Sequence, residues 1–285
     1  MKFLRFERDG LRGLAVEVAP GEFRGWQEGW RGYPGDLAEL IRQGPQALQA
    51  AGIALSEGTA IDPDTIRFLP PIDRAGKVIC IGLNYADHSA ESGFKVPDYP
   101  TVFARFNSSL IGHRDAIVRP PQSDTLDYEG ELVAIIGKGG RNIPLSSALD
   151  HVAGYSIFND GSIREYQTKT PQWTIGKNFD GTGAFGPYFV AAEGLPPGAA
   201  RLKLETRLNG QVVQSASTAD MIFPVAALVS ILSEAVTLEA GDVLVTGTPA
   251  GVGLARTPPL YMKPGDICEV EIEGIGTLVN PIAQG

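Results

Sequence analysis

The sequence predicts a β-rich α+β protein, and three observations carry that prediction. Glycine and proline are abundant and spread along the chain, 35 and 21 of 285 residues, which favours turns over long helices. Short β-branched runs lie between them: residues 77–82 (KVICIG), 131–137 (ELVAIIG), 202–208 (LKLETRL), 242–246 (DVLVT) and 267–273 (ICEVEIE). Such runs bounded by turn residues read as strands. Helical patterns, by contrast, are few and short.

In chain order, residues 1–18 alternate like a strand. Residues 35–43 and 45–51 are rich in Ala, Leu and Gln and read as two weak helices. Residues 146–153 open with serines suited to capping a helix. Residues 155–160 (YSIFND) form an apolar strand that ends on an acid. At 224–235 a proline occupies the first helical position, and Val225, Leu228, Val229 and Leu232 share one face. Residues 1–72 carry few groups able to do chemistry and end in a Gly/Ser/Pro-rich stretch, whereas strands and glycine turns are denser in 73–285. A small N-terminal domain over 1–72 and a larger one over 73–285 are expected. No repeat at solenoid spacing is present.

Composition excludes several functions. Hydrophobic residues are 43% and charged residues 20%, a globular balance. The net charge is −9 and no basic run offers a phosphate field, so nucleic acid is not an expected partner. The longest apolar stretch, 221–233, is interrupted by Pro224 and stops at Glu234, short of the roughly 20 residues that span a bilayer. The start, MKFLRFERDG, carries charges where a signal peptide needs its apolar core, so no export signal and a cytoplasmic location are expected. Cys80 and Cys268 lie in apolar strand-like runs, expected to be buried free thiols.

The run D-Y-E-G-E-L-V-A-I-I-G at 127–137 is the most informative local feature. On a strand Glu129 and Glu131 point to the same face, where two carboxylates repel. A divalent cation resolves the repulsion, and oxygen ligands select Mg²⁺, Mn²⁺ or Ca²⁺ over zinc. An acidic, solvent-facing strand edge is the alternative. Asp160, at the end of its own apolar strand, would be a third ligand, or else a cap for the helix that follows.

His88 and Glu91 fall at i, i+3 in G-L-N-Y-A-D-H-S-A-E-S-G. In a helix the carboxylate would orient the imidazole as a general base; a surface pair is the alternative. Lys177 lies in the glycine-rich stretch I-G-K-N-F-D-G-T-G-A-F-G-P, where a lysine would hold an anionic substrate or a developing enolate, or simply be solvated. The glycines match neither a P-loop nor a dinucleotide fingerprint.

Taken together these blocks resemble the fumarylacetoacetate hydrolase family. The matching segments run in the family's order: ICIGLNYADHSAESG (79–93), DYEGELVAIIG (127–137), GRNI (140–143), VAGYSIFND (152–160), QWTIGKNFDGTGAFGP (172–187), DVLVTGTPAGVG (242–253) and KPGDICEVEIEGIGTLVN (263–280). The resemblance implies a mixed β-roll or barrel catalytic domain with a small N-terminal α/β domain. It implies a Mg²⁺ or Mn²⁺ ion on Glu129, Glu131 and Asp160, a His88–Glu91 dyad on a lid segment, and an active-site lysine at Lys177. Gln167 and Thr248 match substrate-contact positions, and Arg105 is a further expected substrate contact. A homodimer is implied as well.

The implied reaction is hydrolysis of a carbon–carbon bond in a small 2,4-dioxo acid of the acylpyruvate or fumarylpyruvate type. His88 would take a proton from water, and Lys177 would help hold the enolate that leaves. Oxaloacetate decarboxylation, isomerisation of an unsaturated 2-hydroxy diacid, and a non-catalytic metal-stabilised ligand-binding protein are the alternatives. The sequence departs from many relatives at Arg105-Phe106, where they carry Lys-Pro, and at Gly161–Glu165. Both departures lie near expected substrate contacts.

Overall fold

The computed structural model describes residues 1–87 and 97–285; His88 and Glu91 lie outside the described residues. The β-rich α+β class holds. A twelve-stranded sheet forms the centre, and five strands make a second sheet. The long sheet runs, edge to edge, Thr59–Ile61, Glu22–Gln27, Leu11–Ala19, Lys2–Arg8, Gly183–Ala191, Val152–Asp160, Gly130–Ile136, Val243–Val245, Val78–Gly82 and Thr101–Ala104, with two short strands off this path. Neighbours on this path are antiparallel except Val243–Val245 with Val78–Gly82, which are parallel. Among the described residues the long sheet stays open, its two edge strands unpaired with each other, so no closed barrel forms.

The Gly130–Ile136 strand is buried along its whole length, which explains its unbroken apolar run: a strand covered on both faces has no reason to alternate. Leu132, Ala134 and Ile136 pack with the Val225–Ala235 helix and with Leu204, Val270 and Leu278 of the second sheet. Val133 and Ile135 face the other way, into a core built with the Leu37–Gln43 and Pro45–Ser56 helices. Burying each such aliphatic side chain contributes about 1.5–3 kcal/mol.

The first seventy residues add their strands to this same sheet, through Lys2↔Val190 and Phe3↔Phe189. Asp36 caps the first helix by accepting from the Ala38 N–H. Pro45 opens the second, where its missing N–H costs nothing. The helix expected at 146–153 is different. Leu145–His151 forms 3₁₀ turns, and Val152 already begins the nine-residue strand that ends at Asp160. Val152 and Tyr155 are β-formers with core positions waiting for them, and tertiary packing overrides the local serine signal. Both cysteines are buried and free. Among the described residues no helix is long and apolar enough to cross a membrane.

Topology decides where chemistry can sit. The C-terminal ends of Val78–Gly82, Val152–Asp160 and Val243–Val245 meet the N-terminal end of Gly130–Ile136 at one end of the sheet.

Candidate metal centre and active-site cleft

Glu129 and Glu131 flank Gly130 at the start of the central strand, and Asp160 ends the strand beside it. The register Gly130↔Asn159 sets Glu129 opposite Asp160. Two hydrogen bonds hold that pairing: the Asp160 N–H donates to the Glu129 carbonyl at 2.9 Å, and the Glu129 N–H donates to Asn159 Oδ1 at 3.1 Å. All three acids are buried, and each offers an oxygen within 4.8 Å of the others. Gly130 is glycine because the second sheet comes too close for a side chain: a Cβ there would meet Thr206 Oγ1 at 2.2 Å. The solvent-facing reading of these acids fails on burial. The capping reading of Asp160 fails too, since the Arg164–Gln167 helix has no side-chain cap.

Three carboxylates so close and so dry need compensation. Lys177 supplies part of it, its Nζ donating to Glu129 Oε2 and Asp160 Oδ2, both at 2.6 Å. Burial opposes the charge of Lys177, but Asp160 and Glu129 outweigh it and hold its pKa above the usual lysine value. Glu131 is the least compensated. The Gly247 N–H donates to its Oε2, from a backbone at φ +99 that favours glycine. Burial, with the charges of Asp160 and Glu129, pushes the Glu131 pKa well above the carboxylate range. An oxygen-only donor set of this kind, buried and short of one positive partner, fits a hard divalent ion.

Arg164, which the sequence did not single out, also lines the cleft beside the acids. Its Nε donates to Asp127 Oδ2 at 2.8 Å, and its Nη1 lies 2.7 Å from Glu129 Oε1 and donates to Gln167 Oε1 at 2.9 Å. Its Nη2 is buried with no partner among the described residues. Asp127 also accepts from the N–H groups of Tyr128, Gly253 and Leu254, each at 2.8 Å, and so ties the 253–254 loop to the acidic strand. The signal for both was present: Asp127 opens the acidic run, and Arg164 stands inside the departure at 161–165.

Glu129 and Glu131 open into a cleft of about 310 Å³, at the small end of the roughly 300–1,000 Å³ usual for ligand pockets; Asp160 lies buried behind them. Gln167, Thr248, Lys177 and Arg164 line it. Thr248 Oγ1 donates to the Gly130 carbonyl at 3.0 Å and accepts from Gln214 Nε2 at 2.8 Å. The opposite wall is apolar: Ile81, Phe103, Trp173, Val252 and Leu254.

Arg105, expected at the substrate, stands elsewhere. It is not among the residues lining the cleft. Its guanidinium lies behind Asp160, 5.4 Å from the Phe158 ring centroid. It donates to Asp160 Oδ1, to Thr182 Oγ1 at 2.7 Å, to Ser109 Oγ at 3.2 Å and to the Gly161 carbonyl at 3.3 Å. A group so fully engaged behind the acid fixes that acid's orientation instead of meeting a ligand.

Known proteins share this arrangement of chain. The family model for the fumarylacetoacetate (FAA) hydrolase C-terminal region matches residues 77–283. The chain is 39% identical over 251 residues to the oxaloacetate tautomerase Fahd2a, mitochondrial, of Rattus norvegicus, covering 87% of this chain and 80% of the relative. A solved fumarylacetoacetate hydrolase from psychrophilic Exiguobacterium antarcticum aligns at a TM-score of 0.87 and 39% identity, with both chains fully covered. The 2-hydroxyhepta-2,4-diene-1,7-dioate isomerase from Mycobacterium marinum aligns at a TM-score of 0.76 and 30% identity, over 100% of this chain and 98% of that one. A family match over residues 77–283, with relatives at 30–39% identity over most of both chains, means that the chain belongs to the fumarylacetoacetate hydrolase family.

Proposed function

We propose that the chain is a divalent-metal-dependent enzyme that performs keto–enol chemistry on a small 2-oxo acid. The observation that carries this is the convergence of the Glu129, Glu131 and Asp160 oxygens with the Lys177 ammonium and the Arg164 guanidinium beside one small cleft, Arg164 Nη2 having no partner among the described residues. Mg²⁺ or Mn²⁺ is the proposed ion, with Ca²⁺ as the other hard candidate. Held by the three acids, it would accept the 1-carboxylate and 2-oxo oxygen of the substrate and polarise the carbonyl. Lys177 and Arg164 would face the negative charge that grows on that oxygen, in a dry setting where such donors act most strongly. Gln167 and Thr248 would orient the acid.

The proton at the carbon next to the carbonyl leaves to a base, its electron pair moves toward the oxo oxygen, and a proton returns to oxygen or to a distal carbon. We assign the base to His88, oriented by Glu91. This sequence is tautomerisation or isomerisation, and relatives at 39% and 30% identity named for such reactions support it. Hydrolysis of an acylpyruvate, the reaction expected from sequence, is the second reading. It shares the enolate and adds an attacking water, and the hydrolase at 39% identity favours it. We further propose that residues 1–72 form a small domain on the shared sheet, and that the enzyme is a homodimer.

Purified protein with Mn²⁺, given enol-oxaloacetate and acylpyruvates in turn, tests the reading. Turnover abolished by chelation and restored by Mn²⁺ is expected; turnover indifferent to chelation contradicts it. His88→Ala should cost any hydrolysis about 10²–10⁴-fold, the range of a lost general base, with Mn²⁺ affinity unchanged.

A further inference from the structure

Asn84 lies just beyond the Val78–Gly82 strand and is fully buried. Leu83 before it takes φ +59, a left-handed backbone that is costly for leucine. Both amide N–H groups of Asn84 and its amide oxygen are engaged. Nδ2 donates to the Phe223 carbonyl at 3.1 Å and to the Thr246 carbonyl at 2.7 Å, and Oδ1 accepts from the Phe223 N–H at 2.7 Å. The Ile222 N–H donates to the Asn84 backbone carbonyl at 2.8 Å. The bonds to residues 222–223 tie two loops together, as a buried asparagine often does. The bond to Thr246 is different in kind.

The Thr246 carbonyl and the Gly247 N–H belong to one planar peptide group. Asn84 donates to the oxygen of that group, and the N–H of the same group donates to Glu131 Oε2. The two bonds form a chain from Asn84 through the peptide to the carboxylate, in which each bond polarises the next. The peptide is seated from other sides as well. The Thr246 N–H and Oγ1 both donate to the Leu132 carbonyl, at 3.0 and 2.9 Å. A Cβ on Gly247 would meet Asn84 Cβ at 2.8 Å and the Ile81 carbonyl oxygen at 3.0 Å. Glu129 is gripped by Arg164 and Lys177, and Asp160 by Arg105 and Lys177. Among the described residues no cation forms an ion pair with Glu131; the Gly247 N–H takes that place.

We infer that Asn84 is a positioning residue for the metal centre: through the Thr246–Gly247 peptide it fixes one oxygen of Glu131 and so aims the other at the ion. This deepens the divalent-ion reading above and rests on it. Outer partners of metal-binding carboxylates typically carry a factor of about 10–100 in metal affinity, and that is the share assigned to Asn84.

Two readouts on the full chain test it. In metal-free protein labelled with ¹³C′-threonine and ¹⁵N-glycine, only Gly183 and Gly247 follow a threonine, and Glu131→Gln identifies Gly247 by moving its signal. In wild type the Gly247 amide proton should lie downfield of the usual glycine range; a position within that range overturns the inference whether or not the variants fold. Asn84→Ala is expected to move that proton upfield, because its bond to Glu131 weakens. Calorimetric titration with Mn²⁺ should find Asn84→Ala about 10–100-fold weaker than wild type. In a Glu131→Gln background the same change should cost less than about threefold, since the charge that Asn84 positions is gone. Asn84→Ser, which leaves a polar group in place, is read in the same way should the alanine variant not fold. An unmoved Gly247 signal or an unaltered Mn²⁺ affinity overturns the inference. An equal loss in both backgrounds overturns it too, because Asn84 would then only brace the fold. Absence of Mn²⁺ binding by wild type, with the Gly247 signal moving as expected, overturns the divalent-ion reading instead and leaves the link from Asn84 to Glu131 standing.

Discussion

The two halves of the Gly130–Ile136 strand are built on opposite principles. From Leu132 to Ile136 every side chain is apolar and buried on one of two cores, so each adds to stability. At the other end Glu129 and Glu131 are as deeply buried as their neighbours, yet their burial works against folding, because charge has been taken out of water. One strand therefore stores at its tip part of what its middle provides. The difference teaches that the acidic end persists for what it can bind, while the apolar end makes it affordable.

Breaking the apolar half should have the largest effect on stability. Leu132→Ala removes a fully buried side chain and should cost about 2–5 kcal/mol of unfolding free energy, read from denaturant melts. The Mn²⁺ affinity of the protein that remains folded should stay within a few-fold of wild type. A loss of affinity as large as the loss of stability would mean that the two halves are not separable.

A buried titratable group elsewhere sharpens the same contrast. His113 accepts the Val279 N–H on Nδ1 at 3.0 Å and packs edge-on to Phe68 at 4.5 Å, an arrangement that requires the neutral ring. Burial first, and Arg114 second, lower its pKa from 6.5 to about 4. A folded pKa below the unfolded one means that the unfolded chain binds more protons between these values. Stability from this group is therefore complete above about pH 6.5 and lost as pH falls toward 4, by up to about 3 kcal/mol. His113→Asn keeps an acceptor for Val279 and should flatten that part of the stability–pH profile. An unchanged slope would place the titration in another group.

A smaller effect is expected behind the acids. Arg105→Lys keeps the charge at Asp160 but cannot reach Thr182, Ser109 and Gly161 together. Mn²⁺ affinity should fall a few-fold, whereas Arg105→Met, which leaves Asp160 Oδ1 without its cation, should lower it by tenfold or more. Calorimetric titration of both variants separates positioning from charge: equal losses would mean that only the positioning matters.

Much of this was legible in the sequence, and the reasons can be traced to particular residues. The apolar half of the central strand was readable because β-branched runs bounded by glycine have few other homes. The acid pair was readable because Glu129 and Glu131 are two apart on such a run, and Asp160 because its strand ends on it. Arg164 and Asp127 were passed over because their meaning is relational: each becomes a site residue only once the Arg164–Gln167 helix folds back onto the acidic strand. Arg105 was expected at the substrate because it stands where many relatives carry Lys-Pro, and a resemblance does not tell which side of Asp160 an arginine approaches. Nothing local marks Gly247, whose N–H reaches Glu131 from 116 residues away. The 3₁₀ turns at Leu145–His151 were read as a helix because serine caps advertise a helix start without stating how far it runs.

The central claim is that the acidic tip is a divalent-ion site held at the expense of the metal-free fold, and Glu131→Gln tests it most directly. Glu131 has a pKa raised by burial and by Asp160 and Glu129, so metal-free stability from this group is present below about pH 4.5 and lost as pH rises through its higher folded value. At pH 7 the neutral amide should therefore melt a few degrees above wild type without metal, at about 2–4 °C per kcal/mol for chains of 150–250 residues. It should also bind Mn²⁺ at least tenfold more weakly, a loss of about 1.4 kcal/mol or more, so that added Mn²⁺ reverses the order of the two melting temperatures. A variant that melts below wild type without metal, or that binds Mn²⁺ as tightly as wild type, would contradict the account.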